Sequence, residues 1–324
     1  MTRQISLDTI REAATSVYDV VVRTPLVRLD VPGSATAGPE IYLKLETLQP
    51  IGSFKIRGAR NAVRHLTPSQ LAQGVWTVSA GNAAQGVALA ARMAGAACSV
   101  MVMDTAPETK LRSIQALGAT IVKATYEECW QTVERHGSER MKGCFVHPFD
   151  DDHFISGNGT LGLEILEDLP DVDAVIAPIG GGGLLAGVAA AIRAVRPGAR
   201  VYAAEPETAA PLSVSFQQGS ASIFEQWQSS FVDGAGGRSV LPTMWPLMQE
   251  LVEGSLVVAL DDAARAMKRV ADRVHVIMEG AAACAVAAAL LPEFACRGHK
   301  KVVAVVSGGN IDLARFAQLT GSCT

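Results

Sequence analysis

The sequence is poor in several features that define whole classes of protein. None of its six cysteines (Cys98, Cys129, Cys144, Cys284, Cys296 and Cys323) forms a Cys-x-x-Cys pair or falls in a Cys/His ligand spacing. That excludes zinc ribbons and disulfide scaffolds and predicts free thiols. Basic charge is also short: 28 Lys and Arg stand against 32 Asp and Glu, a net charge of −4, with no basic run of five. A general nucleic-acid binder would show the opposite balance. Long apolar runs are missing too. The most apolar stretch, Ala281 to Leu291, is Ala-rich and about a dozen residues long, where a bilayer span needs ~20. The N-terminus, MTRQISLDTIREAATSVYDV, has neither an apolar core nor a cleavage site of the secretory kind. A cytoplasmic protein without membrane or nucleic-acid partners is expected. His65, His136, His147, His153, His275 and His299 show no ligand spacing and are read as structural or solvated.

What is present is a large apolar fraction, 49% of the 324 residues against 19% charged, enough for one large domain or two ordinary ones. Short apolar runs alternate with Ala-rich helical ones. Strands are expected over Val75–Val78, Ser99–Met103, Thr120–Val122, Cys144–Val146, Ala174–Pro178, Val201–Ala204 and Lys301–Val306. Helices are expected over Ala83–Ala94, Glu108–Leu117, Glu127–Glu139, Leu184–Val195, Asp261–Val274 and Ala281–Leu290, and from Ile311. This repetition predicts an α/β protein of two open parallel-type sheets flanked by helices, with ligands at the carboxyl ends of the strands. The polar, Gly/Ser-rich stretch Gln217–Val240 reads as an ordered loop over a site.

Four segments carry chemistry. The first, Leu43 to Ala59, contains Gly52-Ser53-Phe54-Lys55-Ile56-Arg57-Gly58. A lysine that forms an imine needs partial desolvation and a fixed approach, and Lys55 has the neighbours for both. The second, Ser79-Ala80-Gly81-Asn82-Ala83, lies between a strand and a helix, where small residues and a helix N-terminus make an anion pocket suited to a substrate carboxylate. The third, Gly180-Gly181-Gly182-Gly183-Leu184, spends four glycines in a row between strand and helix, which makes sense where backbone wraps a phosphate. It lacks the Gly-Lys-Ser/Thr of a P-loop. Gly181-x-Gly183-x-x-Ala186, with Glu205 about 20 residues on, also fits a dinucleotide fingerprint and keeps a nicotinamide enzyme open from this segment alone. The fourth is the buried strand Val302–Val306 ending in Ser307-Gly308-Gly309-Asn310.

Together, in this order and over nearly the whole chain, the four segments resemble the fold-type II pyridoxal-phosphate enzymes, specifically the threonine/serine dehydratase branch that includes serine racemase. The resemblance implies a large cofactor-binding domain from residues 1–48 and 150–324, a small substrate-side domain from 49–149, and no C-terminal regulatory domain. It implies pyridoxal 5′-phosphate held by Lys55 as a Schiff base, Phe54 beside its ring, Asn82 on its 3′-oxygen, Gly180 to Gly183 with Leu184 on its phosphate, and Ser307 facing the ring nitrogen. The loop Ser79–Ala83 would take an amino-acid substrate. A neutral Ser307 does not hold a proton on the ring nitrogen, which favours prompt β-elimination of a 3-hydroxy amino acid to a 2-oxo acid and ammonia. A homodimer or higher homo-oligomer is expected.

The sequence departs from that pattern at informative places. Serine racemase has a second hydroxyl base where this chain has Ala80, so efficient racemisation is not expected. Dehydratases usually carry His where this chain has Ala83, which predicts a pocket enlarged for a bulkier substrate such as 3-phenylserine or an ectoine-derived hydroxy compound. 3-Hydroxyaspartate dehydration, hydroxyectoine utilisation and cysteine-synthase-like β-replacement are the alternatives. The family's divalent-cation positions fall on Glu205, Ala209 and Pro211, and Pro211 offers no carboxylate, so the cation stays open. Glu279 falls near the ring without an assigned role.

Overall fold

The computed structural model describes residues 3–30 and 38–322; Cys323 lies outside them. Among the described residues, ten strands form two sheets. They are β1 (Leu26–Leu29), β2 (Glu40–Leu45), β3 (Val75–Val78), β4 (Cys98–Met103), β5 (Thr120–Ala124), β6 (Cys144–Phe145), β7 (Ala174–Pro178), β8 (Arg200–Pro206), β9 (Gly254–Val258) and β10 (Lys301–Val306). One sheet has six strands in the order β1-β2-β10-β7-β8-β9, the other four in the order β5-β4-β3-β6. All pairings are parallel except β1 with β2. The α/β architecture with two parallel-type sheets is therefore as the sequence predicts.

The six-stranded sheet is covered on both faces. In β10, Val303 and Val305 enter one apolar cluster while Val302, Ala304 and Val306 enter another; in β7, Val175 and Ala177 oppose Ala174 and Ile176 in the same way. A period of two with both faces apolar is what a doubly covered parallel strand requires. Helices Asp152–Asp168 and Gly183–Val195 pack on one face and Gly280–Leu290 on the other.

The register decides where the site lies. β10 is flanked by β2 and β7, both parallel to it, with Leu45 opposite Val306 and Ile176 opposite Ala304. The three strands thus end at one edge. Their continuations are the Lys55 segment after β2, the Gly180–Gly183 turn after β7 and Ser307–Asn310 after β10. Topology alone gathers three of the four motifs, at the strand ends where α/β sheets bind ligands.

Several expectations shift at element ends. The helix expected over Glu127–Glu139 runs only Tyr126–Glu134, because His136 turns to φ +55° and Gly137 follows. The stretch expected as a loop from Gln217 begins inside a helix, Pro211–Gln218, which Gly219 ends at φ +71°. The 17-residue helix Asp152–Asp168 has no counterpart among the expected elements. Its Gly157, Gly159 and Gly162 lower helix propensity. They let other elements come close: a Cβ on Gly159 would stand 3.0 Å from the Gly187 carbonyl and one on Gly162 2.8 Å from the Ala191 methyl. Among the described residues, no helix is long and apolar enough to cross a membrane.

Candidate active site

Lys55 opens the helix Lys55–Arg64. The residue keeps partial exposure, but its amine is crowded. It donates to the Pro148 carbonyl at 2.7 Å and stands 5.3 Å and 5.4 Å from the ring centroids of Phe54 and Phe154. Burial pushes the amine down to about 8, partly countered by the Glu279 carboxylate. A lysine so placed has a neutral fraction at neutral pH that an exposed one lacks.

The segment before it is zipped to the segment after β10. Phe54 N–H donates to the Ser307 carbonyl at 3.0 Å, Gly309 N–H to the Gly52 carbonyl at 2.9 Å, and the Asn310 carboxamide to the Ile51 carbonyl at 2.8 Å. Ser53 and Gly308 form a β-bridge. Asn82, at the start of helix Asn82–Met93, joins the same knot. It donates to Glu279 Oε1 at 2.8 Å and accepts from Asn310 Nδ2 at 2.7 Å. Its carboxamide is therefore orientated, with one N–H left for a ligand. Glu279 is 5% exposed, and burial pushes its carboxyl up to about 7 against the Asn82 hydrogen bond.

The four glycines form the turn into helix Gly183–Val195, with Gly182 at φ +97°. Only there does the backbone itself demand glycine. At Gly180 and Gly183 the demand is space: a Cβ would stand 2.6 Å from the Gly234 carbonyl and 2.6 Å from the Phe149 carbonyl respectively. The Phe149 ring fills the room beside Gly181, so the residue after Pro148 touches the cradle while Pro148 touches Lys55. The Gly234 contact brings the 219–240 segment to the cradle, as an ordered loop over the site.

Ser79, Ala80, Gly81 and Asn82 are half-buried, and the Ser79 hydroxyl accepts the Gly81 N–H at 3.1 Å, so this loop keeps open surface. Ala83 is buried. Ser307 is 2% exposed, and Ser53, fully buried beside Lys55, has a hydroxyl without a partner. An orphaned hydroxyl, a desolvated lysine and a glycine turn at the N-terminus of a 13-residue helix fit pyridoxal phosphate: an aldehyde, a polar ring and a dianion.

The cation positions do not fit a metal ion. Both Glu205 oxygens are taken: Oε1 accepts the Leu212 N–H and Oε2 the Ser213 N–H, each at 2.8 Å, and Oε2 also accepts the Ser255 hydroxyl at 2.5 Å. Glu205 closes the N-terminus of helix Pro211–Gln218, Ala209 is buried, and Pro211 begins that helix. The same bonds occupy the carboxylate that a dinucleotide ribose would need.

Three features escape the sequence reading. Pro148 and Phe149 carry no motif signal. Asn310 stands in a recognised motif without an assigned role. His147 sits in a group with His136 and Asp150 whose potential ligand atoms lie within 4.8 Å of one another. It is not an open ligand set, since Nδ1 of His147 accepts backbone N–H from Asp150 and Phe149 and its Nε2 faces the Val133 carbonyl.

Comparison with known proteins agrees with this geometry. Residues 17–308 match the family model described as pyridoxal-phosphate dependent enzyme. The chain is 39% identical over 311 residues to an L-threonine ammonia-lyase of Thermotoga maritima, covering 95% of this chain and 76% of the relative. It is 35% identical to a catabolic L-threonine dehydratase of Staphylococcus aureus, covering 97% and 91%. The crystal structure of serine racemase from Dictyostelium discoideum superposes with a TM-score of 0.85 at 34% identity, covering 95% and 99%. With three motifs gathered at one sheet edge, the fourth bonded to them through Asn82, and the match spanning nearly the whole chain, this protein belongs to the pyridoxal-phosphate dependent enzyme family.

Proposed function

We propose that this chain is a threonine/serine dehydratase-type ammonia-lyase, converting a 3-hydroxy amino acid to a 2-oxo acid and ammonia. The observation that carries the reading is Lys55, its amine held on the Pro148 carbonyl, 5.3 Å and 5.4 Å from the Phe54 and Phe154 ring centroids, with the next residue, Phe149, packed against the glycine cradle. The relatives named for threonine ammonia-lyase and threonine dehydratase activity support it. When bound, pyridoxal phosphate supplies the covalent handle for the substrate amine and the electron sink for Cα.

The chain's own residues supply the rest. Backbone N–H groups of Gly180 to Gly183 and Leu184 would hold the phosphate with the positive end of helix Gly183–Val195. The loop Ser79–Ala83 takes the substrate carboxylate at the N-terminus of helix Asn82–Met93. Phe54 would flank the ring, Asn82 would offer its remaining N–H to the ring oxygen, and Ser307 would present a neutral hydroxyl to the ring nitrogen. Lys55 Nζ, when not bonded to cofactor, would be the group placed to take the α-proton. The α-proton and the β-hydroxyl together leave as water, and a water molecule returns in hydrolysis to ammonia and 2-oxo acid, so the step balances and no oxidant or reductant enters.

The finer reading concerns size. Ala83 puts a methyl directly after Asn82, where related dehydratases carry an imidazole, and this supports a β-substituent larger than the methyl of threonine, such as the phenyl of 3-phenylserine. A panel of L-threonine, L-serine, 3-hydroxyaspartate and 3-phenylserine, scored for 2-oxo acid and ammonia, tests both levels. Higher kcat/KM on threonine than on 3-phenylserine overturns the enlarged pocket and leaves the dehydratase. Cysteine formation from an activated serine and sulfide, without 2-oxo acid, overturns the dehydratase in favour of β-replacement. Borohydride reduction is expected to fix the cofactor mass on Lys55.

A further inference from the structure

The turn that follows β6 touches both halves of the site, yet nothing in the reaction as read above uses it. His147 is 2% exposed. Its Nδ1 accepts the Asp150 N–H at 2.7 Å and the Phe149 N–H at 3.3 Å, and its Nε2 lies 3.1 Å from the Val133 carbonyl. That pattern admits one tautomer, with the proton on Nε2. One imidazole thus straps the 148–150 backbone to the end of helix Tyr126–Glu134. The strapped segment carries the Pro148 carbonyl, which receives the Lys55 amine at 2.7 Å, and the Phe149 ring, which fills the space beside Gly181.

We propose that His147 is a positioning residue for Lys55: it holds the 148–150 turn so that the Pro148 carbonyl takes up the lysine amine whenever that amine is not bonded to cofactor. This rests on the reading of Lys55 as the cofactor lysine. The chemistry suits the task. A lysine amine that is freed and recaptured in each turnover needs a partner near its working position. A carboxylate there would hold the ammonium form strongly. A backbone carbonyl accepts the same hydrogen bond without a full charge, so the amine can both gain and lose a proton. A misplacement of about 1 Å in such a group costs on the order of 100-fold in rate.

The surroundings of the imidazole fit a fixed, neutral strap. Its ring stacks on His136 at 4.5 Å between centroids and meets the edges of Phe149 at 4.6 Å and Phe145 at 5.6 Å. The charged or titratable groups facing it are His136, Asp150 and Lys55, and Asp150 is itself held by Arg3, the Thr243 hydroxyl and His136. Burial first, then His136, pushes the imidazole down to about 4, so it stays neutral over the working range.

The test compares full-length His147→Leu, His147→Asn and His147→Gln with the parent and with Lys55→Ala. Asn places an oxygen near the Nδ1 position and keeps the acceptor; Leu removes it; Gln places its oxygen toward the Nε2 position and also removes it. In His147→Leu, borohydride is expected to fix cofactor to Lys55 at parental stoichiometry, while kcat falls about 10- to 100-fold and KM changes less than about 3-fold. In cofactor-stripped protein, the midpoint pH for capture of added pyridoxal phosphate by the Lys55 amine moves to lower pH in His147→Leu, since the ammonium has lost its acceptor. It stays near the parental value in His147→Asn. A folded His147→Leu with parental kcat and parental capture midpoint overturns the proposal. Should His147→Leu not fold, His147→Asn and His147→Gln decide: different midpoints sustain the proposal, identical ones overturn it. Cofactor fixed elsewhere in Lys55→Ala defeats the underlying reading of Lys55 instead, an outcome separable from all of these.

Discussion

The backbone amide of Phe54 donates to the carbonyl of Ser307 across 3.0 Å, although one residue precedes the first α/β series and the other ends the last strand. This bond, with the Ser53–Gly308 bridge beside it, makes one object of the lysine segment and the segment assigned to the ring nitrogen. The distance between Lys55 and Ser307 is therefore set by backbone, not by flexible side chains. A cofactor held as proposed, by Lys55 at its aldehyde carbon and Ser307 at its ring nitrogen, would need that rigidity.

The glycine turn offers the sharpest local prediction. Gly181→Ala drives a methyl into the Phe149 ring, and Gly182→Ala places a side chain at φ +97°, a strain of about 1–2 kcal/mol. Both variants should keep their far-UV circular dichroism and lose cofactor affinity by about 10-fold or more, read from the visible absorbance during dialysis against pyridoxal phosphate. Gly198→Ala, where a Cβ meets nothing within 4 Å, should leave affinity unchanged. Parental affinity in Gly181→Ala would show that the cradle does not hold the phosphate.

Arg57 is fully buried and grips two carboxylates: Nε and Nη2 bond Glu46 at 2.7 and 2.8 Å, and Nη1 and Nη2 bond Glu164 at 2.7 and 3.0 Å. Lys44 adds a further contact to Glu164 at 2.8 Å. Burial pushes the Glu164 carboxyl up, but Arg57 and Lys44 outweigh it and hold it below the usual range. Arg57→Met leaves buried Glu46 without its cation and Glu164 with Lys44 alone, and should cost about 3–5 kcal/mol in urea denaturation at pH 7. The loss should shrink as the medium is acidified, because protonation relieves the stranded charges. Lys268→Ala, in an exposed pair with Asp272, should stay within about 0.5 kcal/mol of the parent.

How much of this was legible in advance differs from link to link. The β-α repetition, the strands Val75–Val78, Ala174–Pro178 and Lys301–Val306, and the order of the four motifs follow from local patterns that the residues carry themselves. The helix Asp152–Asp168 does not, since its glycines make sense only once Gly187 and Ala191 lie against them. Arg57 could be seen beside Lys55, but its partners Glu46 and Glu164 are brought to it by different elements, and no spacing rule links them. Glu205 could be aligned with a cation ligand; that its oxygens close a helix starting at Pro211 is a tertiary fact. Pro148 acts through a carbonyl, which every residue has, so its side chain carries no trace of the role.

Glu279 predicts an unusual pH dependence of stability. Burial raises its carboxyl from 4.5 to about 7. In the unfolded chain the group ionises near its ordinary value. The folded state therefore binds the extra proton between roughly pH 4.5 and 7. Its contribution to stability is intact below about 4.5, declines as pH rises through 7, and is lost above. Glu279→Gln removes this dependence and keeps an acceptor for the Asn82 carboxamide. At pH 8 the variant should be more stable than the parent by on the order of 2–3 kcal/mol, and the two should converge near pH 4.5. Thermal unfolding of cofactor-free protein across that range measures the difference. A difference that grows on acidification would reverse the sign and refute the assignment.

Ala83 is where substrate size can be tested without touching the machinery for elimination. It is buried in the first turn of helix Asn82–Met93, directly after the carboxamide that Glu279 and Asn310 hold in place. On the proposal that residue 83 borders the β-substituent, Ala83→His narrows that space. One to three kcal/mol of discrimination is the usual worth of a small change in pocket volume, so the ratio of kcat/KM for 3-phenylserine to that for threonine should fall about 10-fold or more. The borohydride-fixed mass on Lys55 should persist, which separates a narrowed pocket from a lost cofactor. If the ratio is unmoved while the variant remains folded and loaded, the β-substituent lies elsewhere, and the size of the substrate is set by residues other than 83.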